Sequence, residues 1–251
     1  MSTVLTALHE ALDSAPEQDM TTRLDQSWLL GFDTETTGTS PNRDNIVSAS
    51  LVLRNPRTGY EGDAVAEWII NPGRHISEGA SRVNGFTDEY LAENGSEPAE
   101  SIEQIAGLIM TAQSKHIPLL AYNAPFDVRM LNGDIRQWCS GRMEPMPERE
   151  LLVVDPLVID RAISHRSGRR TLTYTTEYYG VVPHGDFHDA TTDTVASVDL
   201  IEPMTTLYPQ VGSMTLGELM DWQRDAHRTW LEQFNEWLAS KGSRPAIDTW
   251  F

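Results

Sequence analysis

Two carboxylates close an apolar run in LLGFDTETTG, residues 29–38. Asp33 and Glu35 stand two positions apart, so in a strand both side chains leave the same face and can meet one site. A carboxylate taken out of water loses on the order of several kcal/mol of solvation unless something positive meets it. No Lys or Arg lies between Leu24 and Asn42, so the balancing charge must come from elsewhere in the fold or from a metal. A second stretch, LAYNAPFD at 120–127, predicts a strand ending at Tyr122, an N-cap at Asn123 and Pro125 in the first helical turn. Asp127 then falls about one turn into the helix, where exposed N–H groups favour negative charge. The third, HGDFHDATTDT at 184–194, predicts a helix capped by Asp189, with Asp193 one turn in and Ala196, Ser197 and Leu200 on the same face. Taken singly, the Asp33/Glu35 pair reads better as solvated acids, Asp127 as an acid that serves only its helix dipole, and His188 as a surface histidine. What joins them is one device used twice: a carboxylate presented at a helix start.

The surrounding sequence supplies elements to hold these acids. Strands are expected at Trp28–Asp33, Ile46–Leu53, Val65–Ile70, Pro118–Tyr122 and Leu151–Val154. Helical periodicity runs through residues 3–12 (Val4, Leu5, Leu8, Ala11, Leu12), Pro98–Met110, Pro125–Trp138, Leu172–Tyr179, Ala190–Met204 and Leu216–Leu238. Three leading strands followed by alternating helices and strands imply a mixed α/β sheet with helices on its faces. The organisation expected is an N-terminal helix and linker at 1–26, a main domain at 27–208 and a C-terminal helical extension at 209–251. That last helix is expected to lay its apolar face on its own domain. Gln26–Leu30, QSWLL, loosely suggests a sliding-clamp peptide, but it runs into the first strand, which should bury it.

In order and spacing the three stretches resemble the DnaQ-like exonuclease superfamily, in its DEDDh branch with a catalytic histidine. Asp33 to Gly38 matches its Asp-x-Glu-Thr-Thr-Gly, Asn123 to Asp127 its Asn-Ala-x-Phe-Asp, and His188, Ala190 and Asp193 its His-x-Ala-x-x-Asp. Pro72-Gly73, Val83 to Thr87 and Val154 to Leu157 add weaker likeness, and the resemblance covers residues 27–205. The chain is similar in these motifs to the proofreading exonuclease subunit of bacterial DNA polymerase III. His184 and Asp189 share the His-x4-Asp spacing, but Asp186 stands where the pattern has Ala, which selects His188 and Asp193. Two positions depart from the pattern: Tyr122 and Asn84 stand where the family often has histidine.

The resemblance implies a ribonuclease H-like fold and a 3′–5′ exonuclease that releases nucleoside 5′-monophosphates from a 3′ end. Converging acids repel, at about 4 kcal/mol per pair at ~4 Å and an effective dielectric near 20, and hard divalent cations relieve this. All-oxygen ligands suit Mg²⁺ or Mn²⁺. The resemblance implies two metals, with Asp33 shared. Glu35 and Asp193 would join it on the cation that activates water, Asp127 would hold the other through water, and His188 would be general base. Thr36, Thr37, Gly38 and Asn123 are further candidate substrate contacts, with Phe86 and Phe126 as candidates to stack on the terminal base. Arg161, Arg166, Arg169 and Arg170 make 160–170 the most basic stretch; Arg169 and Arg170 are candidates for phosphate contact, and a solvated connection is the equal alternative.

A formal net charge of −18 argues against non-specific nucleic-acid binding, although an enzyme of chain ends can work with local charge and metal ions. The single cysteine, Cys139, precludes an intrachain disulfide and favours a reducing compartment. With no signal-peptide pattern and no bilayer-length apolar run, a cytoplasmic protein is expected, not a membrane one. No polymerase segment is evident, so proofreading would require a separate polymerase or repair partner. Single-stranded DNA is the expected substrate, with an RNA-trimming exoribonuclease as the near alternative and a non-catalytic metal-binding or interaction module as the distant one.

Overall fold

The computed structural model describes residues 3–247 and 249–251. Among them, five strands form one mixed sheet in the order β3-β2-β1-β4-β5. The antiparallel half comprises β1 (Leu29–Thr36), β2 (Ile46–Arg54) and β3 (Ala64–Ile69). The parallel half, β4 (Leu119–Leu120) and β5 (Val153–Val154), is much shorter. Every residue of β2 is buried, as expected of a central strand covered on both faces.

The alternation of β1 sorts the core into two layers. Leu30 and Phe32 face α1 (Thr3–Ser14), α4 (Pro98–Ser114) and α5 (Pro125–Trp138), meeting Leu8, Leu12, Ile102, Ile105, Val128 and Leu131 in the main cluster. Leu29 belongs to the opposite layer, with Val198, Leu200 and Met204. Gly31 lets α8 (Ala190–Asp199) lie close on that face: a Cβ there would stand 2.6 Å from Val198 Cγ2 and 2.7 Å from Thr194 Cγ2.

Several elements differ from expectation. The first strand continues past Asp33 to Thr36, with a bulge between Glu35 and Thr36, so both acids lie inside the strand. The helix expected over 190–204 is two helices, α8 and α9 (Ile201–Leu207), because Pro203 has no N–H to give the Asp199 carbonyl. Short helices α2 (Glu78–Asn84), α3 (Asp88–Asn94) and α6 (Pro156–Ile163) were not expected. α6 carried a readable start, Asp155 capping and Pro156 in its first turn. α7 (Leu172–Tyr179) falls as expected, and a short α10 (Pro209–Gly212) follows α9.

Both terminal helices are built into the core. Leu5, Leu8 and Leu12 of α1 join the main cluster; the side chain of Val4 lies outside the described residues. α11 (Leu216–Ser240) starts with a capping box between Thr215 and Glu218. It buries Leu216, Leu219 and Met220, while Trp230, Phe234 and Trp237 stack along its outer half. Of QSWLL, Leu29 and Leu30 are buried in the first strand, Ser27 is buried and Trp28 half-buried before it, and Gln26 alone is exposed, so the segment does not stand free as a peptide. Among the described residues no helix is long and apolar enough to cross a membrane.

Candidate active site

β4 pairs with β1 only at Leu30 and Gly31. From Phe32 onward β1 runs with β2 alone at its side, which leaves room for the start of α5. Into that room comes Asp127, 3% exposed, whose Oδ1 accepts a 2.7 Å hydrogen bond from Thr34 Oγ1. On the other face of β1, α8 brings in Asp193. Its start is fixed by Asp189, whose carboxylate accepts the Thr192 N–H at 2.8 Å. The His188 N–H donates to Asp193 Oδ2 at 3.3 Å. Glu35, His188 and Asp193 each turn a ligand atom toward the others, all within 4.8 Å. Asn84, at the end of α2, donates to the Thr36 carbonyl at 3.2 Å, next to Glu35.

The acids stand in a field that none of them neutralises. Asp33 is pushed well above the ordinary carboxylate range by desolvation, then by the charges of Asp127, Asp193, Glu35 and Asp189. Burial, followed by the charge of Asp193, lifts Glu35 to about 8. Asp127 rises to about 7, chiefly by burial, against the opposing bond from Thr34. Burial lifts Asp193 to about 6, against the backbone bond from His188. Asp193 Oδ1 is buried with no hydrogen-bond partner among the described residues. An orphaned oxygen on a carboxylate that is grouped with two more ligand-bearing side chains suits a hard divalent cation held mainly by oxygen.

Two residues that approach these helices have left-handed backbone. His188 has φ 72° immediately before the Asp189 cap. Asn123 has φ 67° and does not cap α5, contrary to expectation; the cap position is Ala124, with no side-chain bond. Asn suits the place because it tolerates left-handed φ better than most residues. The N–H groups of Asn123 and Ala124 are held instead by Asp155, at 3.0 and 3.1 Å.

The remaining candidates are distributed less simply. Thr36 Oγ1 donates its proton to the Gly38 carbonyl, and Thr37 Oγ1 accepts from the Asn45 N–H in a buried position. Phe86 is half-buried against Val47, Ile76 and Leu91, and Phe126 packs on the main core. The arginine segment turns inward: Arg166 and Arg170 both bind Asp160, which is fully buried. Arg170 is therefore corrected from an open phosphate contact to a structural ion pair, and Arg161 lies over the Trp230 ring at 3.5 Å. Arg169 stays exposed. His184 stacks on Tyr60 at 3.6 Å and faces Asp199 at 3.4 Å, apart from the Glu35–His188–Asp193 group. Asp155, Asn84 and Thr34, which orient the site, were not among the expected site residues.

Residues 30–201 match the RNase T family, described as exonuclease. The chain is 28% identical over 203 residues to a DNA polymerase III subunit epsilon-like protein of Rhodobacter capsulatus, covering 79% of this chain and 27% of that protein. It is 30% identical over 141 residues to DNA polymerase III subunit epsilon of Treponema pallidum, covering 56% of this chain and 59% of the other. Among solved structures it is similar to E. coli Exonuclease I in complex with a dA16 oligonucleotide. That likeness has a TM-score of 0.62 at 20% identity over 78% of this chain and 43% of the other. At such identity it shows the fold, which is ribonuclease H-like. The chain spans less than two thirds of each of these relatives.

Proposed function

Because the chain belongs to the RNase T exonuclease family, within the DnaQ-like 3′–5′ exonuclease superfamily, we propose that it is a metal-dependent enzyme acting on the 3′ end of single-stranded DNA. Its product is a nucleoside 5′-monophosphate. The observation that carries this reading is the meeting of Glu35, His188 and Asp193 beside Asp33, with Asp127 entering from the other helical layer.

Asp33, Glu35, Asp127 and Asp193 are the residues that would hold two divalent cations, Mg²⁺ or Mn²⁺. Such cations, when bound, lower the pKa of an attacking water and neutralise a leaving 3′ oxygen. His188 would take the proton from that water: it is exposed and faces Glu35 and Asp193, so it can pass the proton to solvent. With the Thr36 proton given to Gly38 and the Thr37 side chain buried, the turn through Gly38 meets the terminal nucleotide with its backbone. The exposed part of Phe86 lies against the base. Arg169 is the one residue of its segment left for a phosphate. The likeness to polymerase III subunits favours a separate polymerase or repair complex as partner.

The test uses purified protein on matched DNA and RNA oligonucleotides, labelled at either end, with Mg²⁺, Mn²⁺ or EDTA. A 5′ label should give a ladder that shortens from the 3′ end, and a 3′ label should leave first as a mononucleotide. Asp33→Asn should abolish both while the protein stays folded. His188→Ala should lower the rate by about 10²–10⁴-fold, whereas His184→Ala should stay within a few-fold. Undiminished shortening by purified Asp33→Asn would overturn the assignment, and preference for the RNA strand would reassign the substrate.

A further inference from the structure

Asp155 is buried beside the site, at 1% exposure, and four N–H donors fill its acceptor positions. Oδ1 accepts from Asn123 and Leu157, each at 3.0 Å. Oδ2 accepts from Ala124 at 3.1 Å and from the indole Nε1 of Trp250 at 3.0 Å. The Asp155 N–H in turn donates to Gln223 Oε1 at 2.8 Å, and Gln223 Nε2 donates to the Val153 carbonyl at 2.9 Å. Thus one carboxylate fixes the left-handed turn at Asn123, four residues before Asp127, and its fourth donor comes from the last residues described. The same tail segment is tied to α5 again, by Arg129 donating to the Thr249 carbonyl and hydroxyl. Trp250 lies well outside residues 30–201, the span that matches the family.

We infer that Trp250 is a positioning residue for the candidate active site: its indole N–H holds Asp155, and Asp155 sets the backbone turn that aims Asp127. The side chain has two separable parts. The ring fills the main core and packs edge-on against Phe251 at 5.3 Å, which any aromatic could do. The N–H satisfies a buried carboxylate oxygen, which phenylalanine cannot do. Losing it leaves an acceptor lone pair unpaired in the interior and loosens the other bonds of the same carboxylate. This inference rests on the exonuclease reading for its kinetic consequence, and on the geometry alone for its structural one.

The experiment compares wild type with Trp250→Phe, using Trp138→Phe as control. Trp138 ends α5, the helix that carries Asp127, and its Nε1 is buried without an acceptor among the described residues. In Trp250→Phe, amide hydrogen exchange at Asn123 and Ala124 should quicken by about 10-fold, with the β1–β2 ladder unchanged. The Mn²⁺ midpoint should rise and kcat should fall by about 10-fold with KM for the oligonucleotide unchanged, the scale on which outer-shell partners act. Trp138→Phe should change none of these. In an Asp155→Asn background, Trp250→Phe should add little, because the bond it removes is already altered. Unchanged exchange at Asn123 and Ala124, or a rise spread evenly over the chain, would overturn the inference. If exchange quickens locally but wild type cleaves no oligonucleotide, the positioning role stands and the exonuclease reading falls. If wild type cleaves and the exchange does not move, the reverse holds.

Discussion

At Glu35, protonation and cation binding compete for the same oxygens. Burial and the neighbouring Asp193 raise this carboxyl to about 8, far above an unfolded value of about 4.3. A group whose folded value is raised lends stability that is complete below the unfolded value and is lost as pH climbs through the folded one. Metal-free protein should therefore lose part of its thermal stability between about pH 4.5 and 8. Glu35→Gln should melt above wild type at pH 8 in EDTA, with the gap closing toward pH 5. Mn²⁺ at pH 8 should raise the wild-type melting temperature more than that of the variant, since only a ligand of the folded state stabilises it by mass action. Scanning calorimetry across pH, with and without the cation, checks both signs. The acids themselves were legible from spacing, because Asp33 and Glu35 must share a face. Thr34, one residue between them, was not: its bond to Asp127 depends on where a distant helix starts.

Among the elements, the segment from Asp160 to Arg170 shows how composition can mislead. Its arginines read as a surface for phosphates, yet Asp160 within α6 is fully buried and gathers Arg166, Arg170 and the Tyr179 hydroxyl. Asp160→Asn would leave two guanidinium groups without their carboxylate in a partly closed site. A cost of about 3–5 kcal/mol is expected, read by denaturant unfolding. Little of this was available from the sequence, because an aspartate looks the same there whether it faces water or two arginines. Asn123 failed differently: its type fitted a cap, but left-handed backbone was the actual reason for an asparagine there. The long periodic helices and β2 were legible because they bury one consistent face, whereas α2 and α3 are too short to show a period.

On the scale of the whole molecule, the three segments expected from sequence share one interior: α1 and α11 contribute to the same cluster as β1, and the tail reaches Asp155. A net charge of −18 leaves the fold with a repulsive surface and gathers further negative charge at its centre. The sheet beneath that centre is lopsided. β1 and β2 are laddered from Leu29 to Thr36, whereas β4 touches each neighbour through two residues only. Regions with few shared backbone bonds open at lower free energy than the global transition. On warming, the strand pair bearing Asp33 and Glu35 should hold while the half that delivers Asp127 lets go. Catalysis should consequently fade several degrees before circular dichroism registers any melting. Activity and ellipticity followed on one temperature ramp would reveal that lag, and coincident curves would deny it.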